Sequence, residues 1–184
     1  MEQSTKKVKV CVDPGHGGYP HPGACYYGRM EKDAALDISL ILAEELKKKG
    51  CEVVLTRKTD VDISLTDRAK ISNKNKCDVF VSIHLNACKD PTVHGAEVWK
   101  WHTGTRQDIA ENMQRELVKA TGFKDRGVKN SSVFAVLRHT QAPAFVVECG
   151  FISYKPECEK LFDRDIQKKV AYHLACGIIQ SFQC

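Results

Sequence analysis

Three separated stretches of the chain run from apolar, strand-like residues into an ionisable side chain. They are Val8-Lys9-Val10-Cys11-Val12-Asp13-Pro14-Gly15-His16, Val79-Phe80-Val81-Ser82-Ile83-His84 and Ala144-Phe145-Val146-Val147-Glu148. In an open α/β sheet the side chains just past the carboxyl ends of the strands converge on one crevice, so residues distant in sequence can share a site. Two imidazoles and a carboxylate meeting there form a donor set suited to zinc-assisted hydrolysis.

The segments between these stretches alternate in pattern, strand against helix. Strands are expected over 7–12, 52–56, 79–84, 95–101, 133–138 and 144–148, and helices over about 31–49, 64–75, 106–120 and 164–182. In the first helix Leu36, Leu40 and Ala43, with Ile41, Leu42 and Leu46, make a broad apolar stripe that stops at Gly50. Ser64-Leu65-Thr66-Asp67 has the form of a helix cap, and Gly122 follows the third helix. With no repeat and no linker, the expected fold is α/β: a single domain over 1–184, with a mostly parallel (mixed) sheet of about six strands flanked by helices.

The chain is 42% hydrophobic and 28% charged, ordinary values for a globular protein. No apolar run approaches the roughly 20 residues of a membrane helix. Met1-Glu2-Gln3-Ser4-Thr5-Lys6-Lys7 lacks the apolar core of a signal peptide, so folding in the cytoplasm is expected. The nine cysteines are an odd count without a CxxC pair, and Cys11, Cys51 and Cys149 sit in apolar runs; reduced thiols are expected. A net charge of +5 favours an anionic partner only mildly. Lys47-Lys48-Lys49 closes a helix, where cations complement the last carbonyls, so it reads as a terminus and not a nucleic-acid patch.

Each chemical candidate has a plainer alternative. His16 lies among Gly15, Gly17 and Gly18, where a ligand can approach the backbone, or where the chain simply turns. A phosphate cradle is disfavoured because GxxxxGK[ST] and GxGxxG are both absent. His84, taken alone, could be an ordinary polar residue at a strand end. Glu148 is costly to bury unless paired, protonated or near a metal. Glu31 opens a helix, where a carboxylate also suits the dipole. His21 between two prolines could face a substrate, as could Asn86 and Arg138; His94, His102, His139 and His173 read as surface or packing residues. Trp99 and Trp101 share a strand face and read as core.

The ordered blocks Val12-Asp13-Pro14-Gly15-His16-Gly17-Gly18, Glu31-Lys32, Leu55-Thr56-Arg57 with Asp60, and Ser64-Leu65 with Arg68 resemble the zinc-dependent N-acetylmuramoyl-L-alanine amidases of the amidase-3 family. The likeness continues through Ser82-Ile83-His84-Leu85-Asn86-Ala87, Gly95-Ala96-Glu97-Val98, Arg126-Gly127-Val128-Lys129 and Val136-Leu137-Arg138 to Val147-Glu148-Cys149-Gly150-Phe151-Ile152-Ser153. Tyr154 stands where an asparagine is common in that family. The resemblance implies that His16, Glu31 and His84 hold Zn2+, that Glu148 is the catalytic carboxylate, and that the substrate is bacterial peptidoglycan, cut between N-acetylmuramic acid and L-alanine. It implies no organic cofactor.

Two rival readings use the same residues: a wall-binding module that holds peptidoglycan without cutting it, and a cysteine hydrolase built on Cys149. A binder has no need of Glu148 beside a metal, and a thiol at a buried strand end is poorly activated. A monomer is expected, acting on the cell wall either as a phage endolysin released late or as the catalytic part of a secreted autolysin.

Overall fold

The computed structural model describes residues 7–102 and 105–182. The Met1–Lys6 stretch and Cys184 lie outside the described residues. In chain order the elements are β1 (Lys9–Pro14), β2 (Cys25–Tyr26), β3 (Arg29–Met30), α1 (Glu31–Lys48), β4 (Glu52–Leu55), α2 (Leu65–Lys74) and β5 (Val79–Asn86). They continue with β6 (Ala96–Trp101), α3 (Gln107–Thr121), β7 (Asp125–Ser131), α4 (Ala135–His139), β8 (Ala144–Phe151), α5 (Lys155–Leu161) and α6 (Arg164–Gln180). The main sheet has six strands in the order β4-β1-β5-β8-β6-β7. The first four run parallel; β8 meets β6 antiparallel, and β6 pairs in parallel with β7. This is the mixed α/β sheet expected, with β2 and β3 added as a small hairpin.

The two faces of the sheet differ because residues alternate along each strand. One face presents Val10, Val12, Val79, Val81, Ile83, Phe145 and Val147 to the helices. Ile38, Leu42 and Leu46 of α1, Ile109, Met113 and Leu117 of α3, and Val170, Leu174 and Ile178 of α6 close over them as one core. The opposite face carries Cys11, Phe80, Ala144 and Val146 under Val136 and Leu137 of the short α4, which packs on α2. Toward the carboxyl ends of β1, β5 and β8 this second face turns polar, with Asp13, Ser82, His84 and Glu148.

One expected strand is replaced. Residues 133–138 form no strand; the sixth strand is β7, and Ala135–His139 is a helical turn. Val136 and Leu137 are adjacent and both buried, which a turn of helix allows and a strand on a single core face does not. The Ser131 hydroxyl accepts from the amides of Val133 and Phe134 and so starts that turn. β7 has a polar sequence because it is the sheet edge, and its Arg126 and Lys129 reach back to Glu97 on β6.

The face that α1 buries is Ala34, Ile38, Leu42, Ala43 and Leu46, with Leu36, Leu40 and Ile41 of the expected stripe only half-buried; the cap and terminus signals hold. Ser64 caps α2 by accepting from the Asp67 amide, and Gly122 ends α3 with φ 65°. Lys47 and Lys48 pair with Glu44 and Glu45 on their own helix, as a helix terminus requires. The eight described cysteines are all free. Among the described residues no helix is long and apolar enough to cross a membrane.

Candidate metal centre

The carboxyl ends of the central strands bring together three of the sequence-selected residues. His16 leaves the loop after β1, His84 sits on β5, and Glu31 is the first residue of α1. One donor atom from each lies within 4.8 Å of the others. His16 Nε2 stands 3.1 Å and His84 Nδ1 2.9 Å from the same oxygen, Glu31 Oε1. The two imidazoles meet edge to face, with centroids 4.9 Å apart.

The backbone is shaped around this cluster. β5 does not stop at His84 but continues to Asn86, and its register with β8 shifts between those two residues, an irregularity of the kind that re-aims side chains beside active sites. The ring of His84 fills the space where Gly15 would carry a Cβ. A Cβ on Gly23, whose φ is +74°, would lie 2.6 Å from Glu31 Oε2 and 2.7 Å from the His16 ring. His16 itself holds φ 57°, a sparsely populated conformation for a non-glycine residue and one often found at functional sites. The amide of Ala24 donates to Glu31 Oε2 and that of Leu85 to Oε1, so both carboxylate oxygens are fixed from two sides.

Glu31 is buried, at 4% exposure. Burial pushes its carboxyl up, but hydrogen bonds and charge from His16 and His84 outweigh that and hold it well below the usual carboxylate range. Glu148 is the opposite case. It neighbours His84 in the β5–β8 register and Glu97 in the β8–β6 register, and Oε2 is buried with no hydrogen-bond partner among the described residues. Burial first, then the charges of Glu31 and Glu97, push its carboxyl well above the ordinary range. Two nitrogens 2.9 and 3.1 Å from one carboxylate oxygen, all three donors within 4.8 Å of one another and near a buried acid with an unpartnered oxygen, suit a cation site. Ligands about 2.0–2.1 Å from such an ion lie roughly 3.3 Å apart. The donor set fits zinc.

The cluster opens into a cavity of about 630 Å³, which Glu148 and Asn86 also line. One wall is apolar, from Ile63, Leu65, Phe134 and Val136. His21 lines it too, its Nδ1 3.0 Å from Asp62 Oδ2. Asn86 donates to Glu97 Oε1, and that buried carboxylate also receives Trp99 Nε1, Arg126 Nε and Lys129 Nζ. Arg138 is not brought to the site: it is exposed on α4 and does not line the cavity. Trp99 packs against Phe134 within the smaller core. His94 stacks on Tyr154, His173 pairs with Glu116, and His102 and His139 are exposed. Cys149 points into the large core; burial, then the charges of Glu148 and Glu31, push its thiol far up, which leaves no activated nucleophile there.

Sequence reading missed the supports. Asp13, buried on the polar face, accepts from Ser82 Oγ at 2.6 Å, Thr56 Oγ1 at 2.5 Å and Arg68 Nη1 at 2.8 Å. Arg68 also donates to the carbonyls of Pro14 and His16, and Arg57 to those of Pro14 and Gly15, so two guanidinium groups pin the loop that carries His16. The available signal was the two-residue spacing of Ser82 and His84, which puts both on one strand face.

An α/β domain with imidazoles and carboxyls gathered at the carboxyl ends of its strands, beside a solvent-open cavity, has the layout of a hydrolase. The chain belongs to the N-acetylmuramoyl-L-alanine amidase family, Amidase_3, which matches residues 10–180. It is similar to the crystal structure of an N-acetylmuramoyl-L-alanine amidase from Clostridium difficile 630, with TM-score 0.91 and 36% identity over 97% of this chain and 98% of that one. It is 35% identical over 182 residues to the N-acetylmuramoyl-L-alanine amidase CwlM of Bacillus licheniformis, covering 95% of this chain and 69% of CwlM. An endolysin of Bacillus phage SPP1 is 36% identical over 179 residues, covering 93% of this chain and 65% of the phage protein.

Proposed function

We propose that this chain is a zinc-dependent peptidoglycan amidase that hydrolyses the bond between the lactyl group of N-acetylmuramic acid and L-alanine. His16 Nε2, His84 Nδ1 and Glu31 Oε1 would hold Zn2+, and Glu148 would act as the catalytic acid and base. The observation that carries this reading is the convergence of those three donors within 4.8 Å, in a cavity that the buried, unpartnered Glu148 also lines. A zinc ion with three protein ligands and an open position supplies Lewis acidity toward a carbonyl and brings the pKa of water down to roughly 7.

The chain's own residues perform the rest. The scissile amide enters the open cavity, with Asn86 held rigid by Glu97 on one side and the apolar wall of Ile63, Leu65 and Phe134 on the other. The Glu148 carboxyl, ionised once a bound cation offsets the charge of Glu31, would take a proton from the attacking water and deliver it to the departing L-alanine nitrogen. Proton transfer of this kind is worth about a hundred- to ten-thousandfold. The fixed hydrogen bonds to Glu31 and to the His16 loop keep the donors from collapsing toward one another between turnovers. The whole of residues 1–184 serves as one catalytic domain, acting as a monomer on the cell wall in the manner of an endolysin or an autolysin.

Glu148→Gln should keep zinc and lose about a hundred- to ten-thousandfold in turnover, whereas His84→Ala should lose both. Zinc content and release of L-alanine-terminated peptide from muropeptides, measured on the two variants, test this. A fully active Glu148→Gln would remove the acid-base role.

A further inference from the structure

The hydrogen-bond chain behind His84 runs to buried polar residues at the base of the cavity, where Asp13 and Arg68 also line it. His84 Nε2 lies 3.1 Å from Ser82 Oγ, and Ser82 Oγ lies 2.6 Å from Asp13 Oδ2. All of it is enclosed: Ser82 is 0% exposed, Asp13 1% and Arg68 2%. Serine has a single hydroxyl hydrogen, and an ionised carboxylate only accepts. Asp13 is paired with Arg68 and already receives the Thr56 hydroxyl, so the hydrogen of Ser82 goes to Asp13. Toward His84 the serine oxygen therefore offers a lone pair, and the hydrogen between them must sit on Nε2. A neutral imidazole with its proton on Nε2 has its lone pair on Nδ1. That lone pair faces Glu31 Oε1 at 2.9 Å, an oxygen that also accepts from the Leu85 amide. Two acceptors would stand opposed there unless a proton or a metal ion lies between them: the first is the hydrogen bond that holds the Glu31 carboxyl low, and the second takes its place.

We infer that Ser82, backed by Asp13, is the positioning residue that holds the proton of His84 on Nε2 and so makes Nδ1 the metal-donor atom. The inference rests on the zinc reading above and adds to it a direction: the protein sets the donor nitrogen before any metal arrives. Ser82 is the middle member of a relay from ring to hydroxyl to carboxylate, anchored on Arg68, which also holds the carbonyl of His16. One buried guanidinium thus supports both imidazoles. Ser82 touches no reacting atom; its effect passes through the ring.

Ser82→Ala removes the acceptor from Nε2 and frees the ring to change tautomer or rotate. Loss of such an outer partner typically weakens metal binding about 10- to 100-fold. Zinc affinity of wild type and Ser82→Ala, measured by competition with a chromophoric chelator on protein whose circular dichroism shows it folded, should differ by that factor. A nitrogen-15 correlation spectrum of the histidine rings gives an independent readout that a merely structural serine would not govern. In the wild type it should show the His84 proton on Nε2 and, with zinc added, the metal-induced shift on Nδ1. Equal affinities in two folded proteins, or a metal shift on Nε2, would overturn the inference. If Ser82→Ala does not fold, the wild-type spectrum decides alone, by the nitrogen that bears the proton. A wild type that binds no zinc would instead sink the metal reading itself, and with it this one.

Discussion

The two faces of the central sheet solve different problems. One is thickly covered: α1, α3 and α6 lay Leu42, Met113 and Leu174 onto Val12, Val81 and Val147, and every one of these side chains is fully buried. The other is thin, covered by α2 and the short α4, and its upper half is polar, with Asp13, Arg68, Ser82 and Glu148 all nearly inaccessible to water. Stability resides mainly in the first face, where burial is apolar and shape-matched. Chemistry resides in the second, where buried charge is tolerated because it is paired and hydrogen-bonded, except at Glu148, where it is not. The strands' own alternation produces this division, so one β5 residue such as Ile83 serves the core while its neighbour His84 serves the site.

If the division is real, the two faces should respond separately to mutation. The largest effect is expected from Leu42→Ala, which opens a cavity in the covered face and should cost about 2–5 kcal/mol of stability by denaturant unfolding. Its zinc affinity, measured below the unfolding transition, should stay at the wild-type value. A large loss of affinity in that folded variant would mean that the faces are coupled and not separate.

A smaller effect of opposite sign is expected from Glu148→Gln in metal-free protein. Burial raises the folded pKa of Glu148, so between the unfolded value, about 4.3, and the folded one the native state binds more protons. Stability is therefore fully present below about pH 4 and declines as pH rises through the folded pKa. The glutamine variant lacks that decline. It should melt higher than wild type at pH 8, by about 2–4 °C for each kcal/mol of penalty removed, and no higher at pH 4. A wild type as stable as the variant at pH 8 would show that Glu148 meets no such penalty.

The division also explains what could be read in advance. Apolar runs ending at His16, His84 and Glu148 were legible because strand periodicity and strand ends leave a clear mark on sequence. Glu31 was ambiguous from its residues, since a helix-start carboxylate has a dipole explanation, and only the resemblance assigned it a role. The relay through Ser82 and Asp13 was hidden because it depends on β1 lying beside β5, a pairing that no local pattern encodes. Edge strand β7 was missed for its polarity, which answers to Glu97 on the neighbouring strand, and Val136-Leu137 imitated a strand while forming the turn that roofs the smaller core. Arg138 looked near Glu148 in sequence order, yet the α4 turn directs it to solvent.

The central claim is that the His16, Glu31 and His84 cluster is a working zinc centre for amide cleavage. Mass spectrometry of purified muropeptides after digestion, with and without a chelator, tests it most directly. The account predicts an intact glycan bearing free lactyl carboxyl groups and peptides beginning with L-alanine, abolished by the chelator and restored by Zn2+. The same cleavage in the presence of the chelator, or products cut between sugars or within the peptide, would contradict it.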